Sequence, residues 1–148
     1  MSLIELKMRR DLRLARLLIE KYHIYGMPRG RGGARRHRWF AWIVDGYICA
    51  VAWLHDNEPF RLIAERFRID YESSYFVRRI CKTCPGEHLV DFFNAIAEML
   101  KSENAKCMWT LGLDEQTNEI YRRVGFELIG FTPRTNRPVY VKWFIKSN

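Results

Sequence analysis

Asp45-Gly46 stands between two apolar runs, Trp39 to Val44 and Tyr47 to Leu54, and this constrains the chain more than any other stretch. An Asp-Gly pair between such runs specifies a tight β-hairpin, because both residues tolerate the positive φ that the favoured two-residue turns require. The runs themselves are almost continuously apolar, as strands in the interior of a sheet are. The fold must therefore contain a sheet with this hairpin inside it.

Helical and strand patterns follow one another around that hairpin. Ile4, Met8, Leu12, Ala15, Leu18, Ile19 and Tyr22 recur at helical spacing and predict an amphipathic helix over residues 3 to 23. Residues 56 to 70 read either as a helix opened by Asp56, Asn57 and Pro59 or as an irregular excursion. Tyr75 to Lys82 predicts a strand and Thr83 to Gly86 a turn. Leu89, Phe92, Phe93, Ile96 and Leu100 lie on one face of a second helix. Cys107 to Leu111 predicts a short strand, and Gln116 to Val124 a helix stopped by Gly125. Phe126 to Thr132 and Val139 to Ile145 predict two last strands around a Pro-Arg-Thr-Asn-Arg-Pro turn. Strand–helix–strand alternation implies parallel pairing and the hairpin implies antiparallel pairing. The expected class is α/β, with a mixed, partly parallel central sheet and flanking helices.

The length of 148 residues suits one domain over 1–148, and no repeat or long linker divides it. No apolar run approaches the roughly 20 residues of a membrane span, and the start is too charged for a signal peptide. Cys49, Cys81, Cys84 and Cys107 then read as reduced thiols of a cytoplasmic protein. Trp143 and Phe144 in the last strand suggest pairing with a second copy.

The charge is lopsided. Lys plus Arg total 25 and Asp plus Glu 17, a net charge of +8, which points to an anionic partner. Residues 26 to 38, Gly-Met-Pro-Arg-Gly-Arg-Gly-Gly-Ala-Arg-Arg-His-Arg, hold four glycines, five arginines and no acid. Arg29, Arg31, Arg35, Arg36 and Arg38 in such a loop would adapt to a phosphate backbone, with His37 and Trp39 placed to stack on bases. Arg9, Arg10, Arg13 and Arg16 of the first helix extend the basic stretch. The bland alternative is a solvated charge run.

Two stretches resemble the GNAT (Gcn5-related) acyltransferase superfamily, as does the element order. Asn118-Glu119-Ile120-Tyr121-Arg122-Arg123-Val124-Gly125-Phe126-Glu127-Leu128-Ile129-Gly130 is similar to that family's late helix and strand. Val44-Asp45-Gly46-Tyr47-Ile48-Cys49-Ala50 is similar to its early hairpin, with Ala50 where Gly is frequent. The resemblance implies acyl-CoA, most simply acetyl-CoA, bound in a splay between two parallel strands. It implies acyl transfer to an amine, with Tyr121 as the proton donor to the leaving thiolate or as an anchor that positions it. It places the cofactor along Ile80, Cys81, Lys82, Thr83, Gly86, Glu87 and His88. Of the family's phosphate-binding pattern only Gly86 matches: Pro85 has no N–H, Glu87 is negative and His88 is large. Tyr22-His23, a Pro-containing loop and Asp114 ahead of Tyr121 are also loosely similar to the Mom-like DNA-modification proteins of that fold.

Three further readings come from residue types. Cys81-x-x-Cys84-x-x-x-His88 has metal-like spacing but no second pair of ligands, so buried thiols are the better reading and no metal is expected. His55, Glu65, Glu72 and Asp114 are candidate general bases by type alone. The expected activity is acyl transfer; its rivals are base modification in nucleic acid and nucleic-acid binding without catalysis.

Overall fold

The computed structural model describes residues 1–29, 33–113 and 115–144. Arg31, Asp114 and Ile145 lie outside the described residues. The elements in chain order are β1 (Ser2–Leu6), α1 (Arg9–Tyr22), β2 (His37–Val44), β3 (Tyr47–His55), a short 3-10 turn (Glu58–Phe60), α2 (Arg61–Arg66), β4 (Ser74–Lys82), α3 (Leu89–Ser102), β5 (Cys107–Leu111), α4 (Glu115–Arg123), β6 (Glu127–Phe131) and β7 (Pro138–Trp143). The seven strands form one sheet in the order β1-β2-β3-β4-β5-β7-β6. Only β4 and β5 run parallel. The α/β class and the partly parallel sheet are as the sequence predicts.

The hairpin lies where Asp45-Gly46 put it. Asp45 and Gly46 have φ of 51° and 80°, both positive, as a two-residue turn matching strand twist requires. Helices cover both faces of the sheet. On one face Phe92, Phe93, Ile96 and Leu100 of α3 pack with Tyr121 of α4 against Phe40, Leu54, Val77 and Tyr140. On the other, Ala15 and Ile19 of α1 cover Trp39, Val51, Trp53 and Cys81. Beside them, Ala64 and Ile69 cover Phe76, Trp109 and Val141. Such double cover is why the hairpin strands read as continuous apolar runs.

Three expectations need correction. The first helix begins at Arg9, and Ser2–Leu6 is instead an edge strand paired with β2 from Ser2↔Ile43 to Leu6↔Trp39. Ile4 and Met8 happen to continue the helical period, but β2 offers unpaired backbone groups that a strand satisfies and a longer helix would not. The basic loop ends sooner than residue 38, because β2 already starts at His37. Finally, β7 lies between β5 and β6, so both of its edges are paired and it offers none to a second copy. Trp143 is half-exposed, while Phe144 packs on the main core.

The Tyr-x-x-x-Gly-Phe signal has a physical basis in how α4 ends. Phe126 N–H donates to Tyr121 O at 2.8 Å and Gly125 N–H donates to Arg122 O at 3.0 Å, the paired bonds of a Schellman motif. Gly125 takes φ of 86°, where a Cβ is disfavoured. Phe126 then packs on Phe93 and on Tyr121 itself. The glycine and phenylalanine thus fix the helix end that carries Tyr121. Gly125→Ala is expected to cost about 1–2 kcal/mol. In urea unfolding this would lower the midpoint with the slope unchanged; an unshifted midpoint would contradict it.

Candidate active site

β4 and β5 pair over only three residues, Ser74↔Cys107, Tyr75↔Met108 and Phe76↔Trp109. Beyond them β4 stays with β3 as far as Lys82, and β5 stays with β7 as far as Leu111. The sheet therefore parts in the middle while each half remains hydrogen-bonded. Thr110 Oγ1 still reaches across, donating to Val77 O at 2.9 Å.

A bulge sits at the mouth of the parting. Trp53 pairs with Arg79 and Leu54 with Val77, so Arg78 is the extra residue of β4. Strict alternation would send Arg78 and Arg79 to opposite faces. The bulge instead leaves both on the side of α1: Arg78 lies over the Phe60 and Trp53 rings, and Arg79 Nε donates to Gly26 O at 2.8 Å.

A cavity of about 200 Å³ opens there, lined among others by His23, Arg78, Arg79, Thr110, Tyr121 and Arg137. Tyr121 is buried, with its ring against Phe93, Phe126 and Tyr140. Burial pushes its pKa up, and this outweighs a hydrogen bond with Thr110 and the nearby Arg137 and Arg79 charges. Its hydroxyl consequently holds its proton at neutral pH. Arg137 donates from Nε to Gly112 O at 3.1 Å and from Nη2 to Leu111 O at 3.4 Å, which brings it from the β6–β7 turn to the end of β5. His23 closes α1; burial and then Arg79 lower its pKa to about 4, so its ring is neutral.

The residues expected to hold the cofactor divide. Ile80 lines the cavity, but Cys81 points to the α1 face, where burial pushes its thiol up to about 12. Thr83 ties the turn to β3, donating from Oγ1 to Ile48 O at 2.6 Å and from N–H to Cys49 O at 2.8 Å. Lys82 Nζ reaches Gly86 O at 3.4 Å. Glu87 pairs with Arg123 at 3.2 Å and His88 Nε2 donates to Pro85 O at 2.8 Å. His88 is the N-cap of α3 and makes no side-chain cap there, its ring lying back over Gly86.

Cys81, Cys84 and His88 do not converge: Cys84 Sγ contacts Ile48 O, and among the described residues no metal-like group of His, Cys and acids occurs. Two of the loop arginines serve the protein's interior. Arg38 holds both Glu5 and Glu103 at 2.6 Å, and Arg36 donates to Tyr71 O and Glu72 O. Arg35 faces a different groove, beside α2. Arg29 does reach a larger groove of about 650 Å³, with Arg16, His37, Trp39, Trp53, His55 and Arg78. Among the candidate bases, Glu65 pairs with Arg61 at 3.1 Å and Glu72 is exposed away from the cavity. His55 is fully buried; its Nδ1 meets Asp56 O at 2.6 Å and its Nε2 has no partner.

No family model matches the chain. It is 47% identical over 146 residues to uncharacterized protein 154 of Sulfolobus islandicus rod-shaped virus 1, covering 96% of this chain and 95% of that protein. The chain belongs to the protein 154 family. Among solved structures it is similar to the ribosomal-protein-S18-alanine N-acetyltransferase of Escherichia coli, with a TM-score of 0.68 and 10% identity over 99% of this chain and 96% of that one. It is similar to Tetrahymena GCN5, with a TM-score of 0.68 and 9% identity over 98% and 97%. It is also similar to the aminoglycoside acetyltransferase AAC(6')-Ib in complex with coenzyme A, with a TM-score of 0.67 and 12% identity over 96% and 95%. The fold of this protein 154 relative is that of the GNAT acetyltransferases. No helix among its described residues is long and apolar enough to cross a membrane.

Sequence reasoning missed Arg78, Arg79 and Arg137 as site residues of this protein 154 relative. The available signal was a pair of adjacent charges inside the otherwise apolar strand from Tyr75 to Ile80. His55 sets a testable acid limit. Burial lowers its pKa from 6.5 to about 4, so between those values the unfolded chain binds a proton that the folded one does not. Stability is then expected to fall as pH drops from about 6.5 to 4, by up to about 3 kcal/mol from His55. In His55→Gln this part of the pH dependence should vanish; an unchanged slope in urea titrations would contradict the assignment.

Proposed function

We propose that the protein is an acyl-CoA-dependent N-acyltransferase in which Tyr121 is the proton donor. The observation that carries this is the protonated Tyr121 side chain lining the cavity where β4 and β5 part. Bound acyl-CoA would supply an acyl carbonyl activated by a thiolate leaving group. The start of α3 and the Lys82–His88 turn would hold its phosphates. β4 beyond Phe76 has no strand partner on the β5 side; Val77 O is taken by Thr110 and Arg78 O by Arg79, which leaves the backbone groups from Arg79 onward for the acyl chain.

The amine nitrogen bonds to the acyl carbon as the carbon–sulfur bond breaks. Tyr121 Oη gives its proton to the departing sulfur, and solvent takes the proton that the amine loses. Thr110, anchored on Val77 O, fixes the Tyr121 hydroxyl. His23 and His55, both with pKa lowered to about 4, are weak bases, and no side chain is assigned that role. Tyr121→Phe is expected to lower kcat by about 10²–10³ with a nearly unchanged melting temperature. Thiol release from acyl-CoA over a panel of amines would measure it. Retention of full activity would remove Tyr121 as the acid.

A second reading concerns the acceptor and rests on the larger groove. Arg16 lies over Trp39 and Arg78 over Trp53, and Arg29 stands at the rim. Cations on an aromatic floor suit a nucleic-acid strand, as in base modification or plain binding. Arg16→Gln with Arg29→Gln should then lower the salt slope of single-stranded DNA binding by about 1–2. An unchanged slope would leave the groove without a nucleic-acid role.

A further inference from the structure

The 200 Å³ cavity at the strand parting carries three guanidiniums, those of Arg78, Arg79 and Arg137. Among the described residues, no carboxylate lines it and none forms an ion pair with any of the three. Elsewhere in the molecule the pattern is different: Arg36 and Arg38, comparably buried, have Asp56, Glu5 and Glu103 as neighbours.

The hydrogen bonds around the three fix position without offsetting charge. Arg79 donates to Gly26 O and Arg78 O, and Arg137 donates to Gly112 O and Leu111 O. Arg78 rests on the Phe60 and Trp53 rings. Backbone carbonyls and ring faces orient a guanidinium while leaving its net charge uncompensated. The charges also act on one another. Burial lowers the pKa of each, and Arg137 adds to this at both Arg78 and Arg79. Three like charges in a confined, half-buried space are an unfavourable arrangement unless something negative joins them. Each also retains N–H groups that no described contact uses, enough to receive a forked oxyanion.

We propose that this cavity is an oxyanion pocket, and that the acyl group it receives ends in a carboxylate, as in a short dicarboxylic acyl chain. The space is too small for a nucleotide, since pockets for larger ligands start at about 300 Å³. It adjoins Tyr121, so a carboxylate held there belongs to a group near the reacting atoms. The same chemistry could arrive as a phosphate or carboxylate on the acceptor, and the test separates the two sources. The acyl-donor assignment rests on the acyl-CoA reading above; the oxyanion pocket itself does not.

Calorimetric titration at constant ionic strength, with CoA, acetyl-CoA and succinyl-CoA, examines the donor. Succinyl-CoA should bind about tenfold tighter than acetyl-CoA. That preference should shrink to about twofold or less in Arg79→Gln and in Arg137→Gln, and survive in part in Arg137→Lys, which keeps the charge. Affinity for CoA itself should not change, and melting temperatures would confirm that the variants fold. In parallel, free succinate and inorganic phosphate are titrated alone. Their saturable binding, lost in Arg137→Gln, would uphold the pocket even if no CoA compound binds, in which case only the acyl-CoA reading fails. Equal affinity for the two acyl-CoAs, with phosphate still bound at the arginines, would overturn the donor assignment in favour of an anionic acceptor. No arginine-dependent binding of any of these anions would overturn the pocket.

Discussion

The loss of pairing between β4 and β5 after Phe76↔Trp109 is the constraint on which the rest of the arrangement depends. Two parallel strands in a covered sheet would ordinarily keep their ladder, since unpaired backbone groups in an interior are costly. Here each strand keeps a ladder on its outer side, β4 with β3 and β5 with β7, so the opening is confined to one seam. The Arg78 bulge, which increases local twist, lies just beyond the last β4–β5 pair. The Thr110–Val77 bond marks how far the two still communicate. Tyr121 reaches the seam from α4, whose end is fixed by the bonds around Gly125 and Phe126.

Much of the positive charge is structural, and its partners decide what each arginine does. Arg38 clamps Glu5 of β1 and Glu103 beyond α3, so it ties the edge strand to a helix on the same face. The two carboxylates raise its already high pKa further. Asp56 is buried, which alone would raise its pKa. The N–H groups of Arg36, Glu58 and Arg35 and the Arg36 charge outweigh this, and its pKa lies below the ordinary value. That carboxylate organises the entry to β2 and the turn after β3 together. Charges with such partners support the fold; those of the cavity have carbonyls and rings instead.

The hairpin, α3, β5 and the end of α4 were legible because each rests on local signals: a turn dipeptide, a periodic apolar face, a glycine stop. The start of the chain was not. Ser2–Leu6 is short, and its strand character comes from β2, a partner far along the sequence. Two other helix ends escaped for a related reason. Ile69 N–H bonds to Ala64 O and Ala105 N–H to Leu100 O, with Arg68 and Asn104 taking the positive φ that glycine usually takes. Of the residues lining the cavity, Tyr121 was legible through its glycine–phenylalanine context. Arg78 and Arg79 were not, because a bulge is a property of two strands in register, and one strand's sequence does not display it. The loop arginines show the converse: their number was evident, but Glu5, Glu103 and Asp56, which engage Arg38 and Arg36, come from remote parts of the chain.

Arg78 belongs to both the small cavity and the larger groove with Trp39, Trp53 and Arg16. Its position follows from the bulge, and the two spaces meet at its side chain. A reaction between two bound groups needs such a meeting point, because a displacement proceeds only when the attacking and leaving atoms are held close and aligned. The smaller space has Tyr121 and the stronger confinement, while the larger has an aromatic floor and more room. Under the proposed acyl transfer, chemistry at the seam and recognition in the groove would be coupled through Arg78. A change at Arg78 would disturb both, whereas Arg137 belongs to the small cavity and Arg29 to the groove.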